Sequence, residues 1–376
     1  MRSTTLLLLV LMSALALAKE PSILLGGAFN LSGAQSGLDQ PSYKGAQLAV
    51  EQANEAGGAL GRKIELVLVK GDSNVEHTGL RTLVNLRSRP GIAAVMGLSD
   101  TDQVLAAARM CEQEKRLFLT SGATSPKLPQ EVPHYLFLAC FGDNVQAAIG
   151  AEFASLRLEA DRAAVIYDDS MEYTRLLQGY FQARFKQLGG TVVAEESFAK
   201  SDFSAISLPD GPIDVVYLAV GPQDVLPAVR HLRDAGFKGA IIGGDSYDSD
   251  IWNGQTDLSD IYFTTHAYFG EDNLEPKVQE FRQAYLVKFG EAPDAFAGLG
   301  YDAMNLLVLA VKKAASDEPA KVLKALSEIQ NYDGVTGKIS YSEGGRIPQK
   351  TVSLMSVKQG RVGFMGEVLP RVVPAP

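Results

Sequence analysis

Two doubly wound α/β lobes joined by three crossing strands are what this sequence predicts. Three observations lead there. Short apolar runs of strand type alternate with stretches of helical spacing from Ile23 to Phe141, and the same rhythm restarts at Asn144. No low-complexity linker separates the two series, so the lobes share connections rather than following one another as beads. An unbroken β-α alternation implies a largely parallel sheet with helices on both faces.

The first series opens with the apolar run Ile23–Phe29. Tyr43–Glu55 then places Ala46, Ala49, Val50 and Ala53 on one helical face. Gly57-Gly58 stops that helix, and Gly61 turns the chain into the alternating strand Lys63–Lys70. Helix Val75–Arg87, strand Ile92–Met96, helix Gln103–Glu114 and strand Leu117–Thr120 follow, and Tyr135–Phe141 is extended. The second series reads helix Asn144–Leu158, strand Ala163–Tyr167, helix Tyr173–Leu188, strands Thr191–Ser197 and Ile213–Ala219, helix Asp224–Ala235 and strand Ala240–Gly243. Ile261–Tyr268 is extended, Pro276–Phe289 and Tyr301–Ala314 are helical, and Gly337–Val368 gives short strands with glycine turns. Crossings between lobes are expected near Ala139–Phe141, Thr264–Tyr268 and Lys338–Ser342. The first lobe then comprises residues 19–139 and 268–338, the second 140–267 and 339–376.

Residues 1–18 carry one cation, Arg2, then a leucine-rich run ending in Ala16-Leu17-Ala18, which reads as a signal peptide cleaved after Ala18. No cysteine stands there to accept a lipid. No later stretch reads as long enough to span a bilayer, since Ala303–Val311 is flanked by Asp302 and by Lys312-Lys313. Export permits disulfides, and Cys111 and Cys140 are the one available pair; a bridge and two buried thiols both fit. With 46% hydrophobic and 21% charged residues, the chain of 376 residues has an ordinary globular composition. Its net charge of −9 and lack of a basic cluster argue against nucleic acid as a partner.

Catalytic patterns are missing. The four histidines lack metal-site spacing, Gly-x-Ser-x-Gly and the phosphate-loop motif do not occur, and Gly26-Gly27 and Gly57-Gly58-x-x-Gly61 miss the dinucleotide fingerprint. The expectation is a binding protein, without cofactor or metal. What remains is a set of hydroxyls, glycines and one carboxylate at strand ends, where ligands of α/β sheets bind. Gly97-Leu98-Ser99-Asp100-Thr101-Asp102 stands at a helix start, where Ser99, Asp100 and Thr101 serve either as caps or as carboxylate receivers. Ser121-Gly122-Ala123-Thr124-Ser125-Pro126 offers a second hydroxyl-rich turn. From the second lobe come Tyr173, after Asp168-Asp169, and Asp245, which is placed either to meet an ammonium or to hold its own turn.

At these residues the chain resembles the type I periplasmic solute-binding proteins of ABC transporters, in particular the branched-chain amino acid (Leu/Ile/Val) group. The resemblance covers essentially the whole chain after the leader. Its carriers are Asn30-Leu31-Ser32-Gly33, Asn54–Ile64, the Gly97–Thr101 turn, Ser121–Leu128, Tyr167-Asp168-Asp169 with Tyr173, and Gly243-Gly244-Asp245. It implies two Rossmann-like lobes of the type I fold closing over a small amino acid. Position by position, it implies that Thr101 holds the ligand carboxylate, that Thr124 touches both carboxylate and ammonium, that Gly122 offers its carbonyl to the ammonium and that Asp245 neutralises it. It further implies that Tyr173 closes over the ligand and that Phe296 lines the side-chain pocket.

Two positions depart from that pattern. Ser36 and Gly221 stand where the family places rings, which predicts a roomier pocket; Asp245 is also a methylene shorter than the usual glutamate. The resemblance implies a periplasmic monomer that delivers its ligand to permease subunits in the inner membrane. Rival readings are a binder of another small carboxylate or amide, such as an aromatic acid, and a ligand-sensing component of a receptor.

Overall fold

The computed structural model describes residues 20–376; the expected leader, residues 1–18, lies outside them. A five-stranded parallel sheet in the order β2-β1-β3-β4-β5 forms the first lobe, from β1 (Ile23–Asn30), β2 (Ile64–Gly71), β3 (Ile92–Gly97), β4 (Leu117–Thr120) and β5 (Leu136–Leu138). The second lobe repeats this winding with β7 (Thr191–Phe198), β6 (Arg162–Asp168), β8 (Val215–Ala219), β9 (Ala240–Gly243) and β10 (Ser259–Thr265). Two antiparallel strands, β13 (Val352–Lys358) and β14 (Arg361–Val368), extend its edge. The fold class read from the sequence is therefore the one observed.

Each sheet is covered on both faces. In the first lobe α1 (Ser36–Glu55), α9 (Ala295–Ala314) and α10 (Pro319–Ser327) cover one face, and α2 (Val75–Ser88) and α3 (Thr101–Gln113) the other. A further helix, α8 (Pro276–Phe289), packs outside α1 and α9 around Phe281 and Tyr285. In the second lobe α5 (Asp143–Arg157) and α6 (Glu172–Gln187) face α7 (Val225–Asp234) across the sheet. A one-turn helix, α4 (Leu128–Glu131), precedes β5.

Helices α1 and α9 approach almost backbone to backbone. A Cβ on Gly45 would overlap the Ala297 carbonyl oxygen, and one on Gly300 the Ser42 carbonyl oxygen. Only glycine permits that contact at both points. Helix α9 begins at Ala295, six residues before the expected Tyr301, after the cap Asp294, whose Oδ1 accepts from Ala297 N at 2.8 Å. At that length it is apolar enough to cross a membrane, contrary to the sequence reading. Most of its surface is instead buried in this core.

The first passage between lobes runs from Leu138 to Asp143, and the second from Thr265 towards α8. The third comes later than the expected Lys338–Ser342. After the hairpin β11 (Tyr332–Gly334) and β12 (Gly337–Ile339), the chain stays beside β5. There Tyr341 OH donates to Leu138 O at 2.8 Å, and Leu138 N donates to Arg346 O at 2.9 Å. The crossing is therefore made by residues 347–351, and residues 339–346 remain with the first lobe.

Candidate functional site

With strand order 2-1-3-4-5, the connections after strands 1 and 3 leave for opposite faces and open a crevice at their C-terminal ends. In the first lobe that crevice follows β1 and β3, and Gln35, Leu38, Ser99 and Asp100 stand on its wall. In the second lobe it follows β6 and β8, supplying Met171, Tyr173 and Pro222, while the turn after β9 adds Asp245 and Ser246. The crevices face one another across a narrow cleft that leaves a cavity of about 10 Å³, the room of about one water. A larger concavity beside the crossing segments, between the hairpin and the C-terminal residues, lacks this convergence of strand ends.

On the first-lobe wall, Asp100 is the cap of α3, its Oδ1 accepting from Gln103 N at 3.0 Å. Burial lifts its carboxyl to about 7. The Thr101 hydroxyl beside it is buried without a hydrogen-bond partner, and the buried Ser99 lies against the Asp39 carboxyl. Asp100 is thus the cap of the two roles that the sequence left open. In the neighbouring turn, Thr120 Oγ1 accepts from Ala123 N at 3.0 Å and donates to Leu98 O at 2.9 Å, locking the two turns together. A Cβ at Gly122 would stand 2.9 Å from Ser99 Oγ and 3.1 Å from a Phe296 ring carbon, so glycine allows the turns to touch. Thr124 is buried and accepts from Asp143 N through its carbonyl at 2.6 Å. The Ala123 carbonyl accepts from the Cys140 thiol at 3.2 Å, and Cys140 and Cys111 are both free and buried, which decides against the bridge.

Across the cavity, Asp245 is 3% exposed. Its Oδ1 accepts from Tyr173 OH at 2.8 Å and Gln146 Nε2 at 2.9 Å, and its Oδ2 meets His266 Nε2 at 2.9 Å. Burial opposes its ionisation, but the His266, Gln146 and Tyr173 contacts prevail and hold the carboxyl below the usual range. Burial pushes His266 down against the pull of Asp245, so the ring is neutral and donates its Nε2 proton. This tautomer leaves Nδ1 a bare lone pair, and Nδ1 indeed has no partner. The ring stacks on Phe141 at 4.0 Å and meets Phe296 edge-on at 6.0 Å. Behind them lies Asp143, whose Oδ1 accepts from the same Gln146 amide at 3.0 Å. Burial and then the Asp245 charge raise Asp143 to about 8, so it is protonated beside an ionised neighbour.

Tyr173, Asp245 and Ser99 thus stand on the cavity wall, whereas Thr101, Gly122, Ala123, Thr124 and Phe296 are buried and do not line it. Ser36 does not line it. Its hydroxyl donates to Gly33 O at 2.7 Å in the turn opening α1, and Gln35 and Leu38 face the cavity in its place. Gly221 does not widen the pocket as expected, because Met171 fills the gap; a Cβ at 221 would lie 2.8 Å from the Met171 sulfur. The sequence reading missed Gln146, His266 and Asp143. His266 has no metal-site spacing to mark it, Gln146 lies within a helical stretch, and Asp143 stands just before the expected helix start at Asn144.

The lobes also touch directly. Helix α6 has no side-chain cap of its own, and its Glu172 N donates to Asp102 Oδ2 of α3 at 3.3 Å. One lobe thereby caps a helix of the other.

Comparison with known proteins agrees with this geometry. The Leu/Ile/Val-binding protein homolog 1 of Brucella abortus (strain 2308) is 26% identical over 328 residues, covering 86% of this chain and 87% of that protein. The crystal structure of LivJ, a branched-chain amino acid transporter substrate-binding protein from Streptococcus pneumoniae in complex with isoleucine, superposes with a TM-score of 0.86 at 26% identity. That match covers 93% of this chain and 100% of LivJ. The leucine-binding protein LivK of Thermotoga maritima MSB8 gives 0.84 at 28% identity over 93% of this chain and 99% of its own. The sequence profile of the family described as periplasmic binding protein matches residues 22–361. On fold, on the site at the mouth of both sheets and on that match, the chain belongs to the periplasmic binding protein family.

Proposed function

We propose that this chain is the substrate-binding component of an ABC importer, which captures a small aliphatic amino acid between its lobes and delivers it to the permease. It would act in the periplasm, as a monomer, after loss of its leader. The observation that carries the reading is Asp245. It is a buried, ionised carboxylate across the cavity from Ser99 and Asp100 at the start of α3. A ligand with an ammonium at one end and a carboxylate at the other matches both walls. An acid without an ammonium, such as an aromatic acid, leaves Asp245 unmatched.

Closure follows from the same arrangement. A ligand stabilises the closed state only by contacts that exist when both walls are present, and here each wall supplies one half of the headgroup site. Helix α3 and the turn after β4 belong to the first lobe, Tyr173 and Asp245 to the second. The test is a thermal-shift panel of amino acids, carboxylic acids and amides. A ligand at about a hundred times its dissociation constant adds about 2.7 kcal/mol of stability. Leucine, isoleucine or valine should give the largest shifts. A panel in which aromatic acids shift the protein and amino acids do not would overturn the reading.

A further inference from the structure

Any carboxylate brought to the first-lobe wall meets a carboxyl already there. Asp100 lines the cavity, caps α3 with one oxygen, and accepts at its other oxygen a long hydrogen bond from Gln35 Nε2 at 3.4 Å. Asp39, on α1, is fully buried nearby and holds Asn30 N at 2.8 Å; burial lifts it to about 6. Asp102 follows on α3 itself and is engaged by Glu172 N. From the second lobe the titratable groups facing inwards are Tyr173 on α6, Asp245 after β9, His266 at the second passage and Asp143 on α5. Neither lysine nor arginine lines the cavity among the described residues.

An anion against an ionised Asp100 meets a like charge that only the partial positive end of α3 opposes, since no lysine or arginine lines the wall. A carboxyl that keeps its proton has one O–H to donate and becomes a hydrogen-bond partner for that anion. We propose that Asp100, in its protonated form, donates to the carboxylate of the bound amino acid, so that capture takes up one proton from solution when Asp100 starts ionised. The proposal rests on the amino-acid reading of this site. Burial supports it, since it already places the Asp100 carboxyl near neutrality. No bond is made or broken beyond this protonation.

Calorimetry with leucine and isoleucine, at pH 6 and pH 8.5 and in two buffers of different ionisation enthalpy, tests it. The parent should bind about tenfold more weakly for each pH unit above about 7 and take up close to one proton at pH 8.5. Asp100→Asn carries a permanent donor, so its affinity should not change across that range and its binding should take up no proton. Equal parent affinity at both pH values without proton uptake would overturn the proposal while sparing the amino-acid reading. So would uptake that persists in Asp100→Asn. If no free amino acid binds even at pH 6 while leucinamide does, Asp100 is an ionised acceptor and both statements fall. The parent's pH and buffer dependence stands on its own should the variant not fold.

Discussion

Replacing Asp245 by asparagine keeps the shape of the second-lobe wall and removes its charge. An ionised carboxylate offers about four acceptor positions. Tyr173, Gln146 and His266 fill three of them, which leaves one for a ligand ammonium. One charge-assisted hydrogen bond contributes about 1.5–3 kcal/mol, so Asp245→Asn should weaken leucine binding by about tenfold to about 150-fold. That is less than the ~3–5 kcal/mol for deleting one partner of a buried pair outright, the figure suited to Asp245→Ala. The fold should tolerate asparagine. Its carbonyl can still accept from Tyr173 and Gln146, and the neutral His266 ring can move its proton to the unpartnered Nδ1. Titration calorimetry with leucine, with a melting curve to confirm folding, reads the effect. A folded Asp245→Asn that binds leucine within twofold of the parent would refute the ammonium assignment.

Other expectations follow from neighbouring features. Asp102→Ala removes the cap on α6 that exists only while the lobes touch. A cap of that modest length contributes about 0.5–1 kcal/mol, so ligand affinity should fall about two- to fivefold; an unchanged dissociation constant would count against a closing role. Gly45→Ala drives a methyl into the Ala297 carbonyl and should cost about 1–3 kcal/mol in urea denaturation, whereas a neutral result would mean the two helices can part freely. Stability should also depend on pH. Asp39, Asp100, Asp143 and Asp248 are raised by burial to about 6, 7, 8 and 6 from 3.8, so each binds its proton more tightly when folded. Their contribution is complete below about pH 4 and is lost as pH rises through 6 to 8. Asp245 and the exposed Asp72, both held low, act in the opposite sense as pH falls below 4. The urea midpoint should therefore be higher at pH 5 than at pH 8.5, and a midpoint that rises with pH would show these carboxyls to be ionised in the fold.

Strands such as Leu117–Thr120 and Ala240–Gly243 were legible to the residue because short apolar runs ended by small or polar residues leave little choice of boundary. The start of α1 was not. Ser36 to Ser42 includes Pro41 and little apolar periodicity, and this segment is helical through its contact with α9. The third passage was misplaced because Tyr341 looks like any strand residue until Phe137 is seen packed edge-on against its ring at 5.4 Å. At the site, turn motifs with hydroxyls were readable because they are contiguous. The Asp245 cluster was only half readable. Gln146, His266 and Asp143 lie far from Asp245 in sequence, and meet it only because α5, the turn after β9 and the end of β10 converge. Met171 illustrates the same limit: the space left by Gly221 is filled from another strand end, which no local reading of Gly221 could anticipate.

The near contact of α1 with α9 also bears on how the molecule is made. The apolar face of β1, β3 and β4 is covered by Ala303, Met304, Leu306 and Leu307, which are synthesised only after strands β6 to β10 of the second lobe. A chain emerging N-terminus first therefore cannot complete its first core early, and local pairing alone will not close it. The second core is delayed too, since Met355 and Val357 of β13 belong to it. Native contacts of such wide sequence separation slow folding. Both lobes should mature late and nearly together, and a nascent chain halted before α9 should present a broad apolar sheet face to chaperones and proteases.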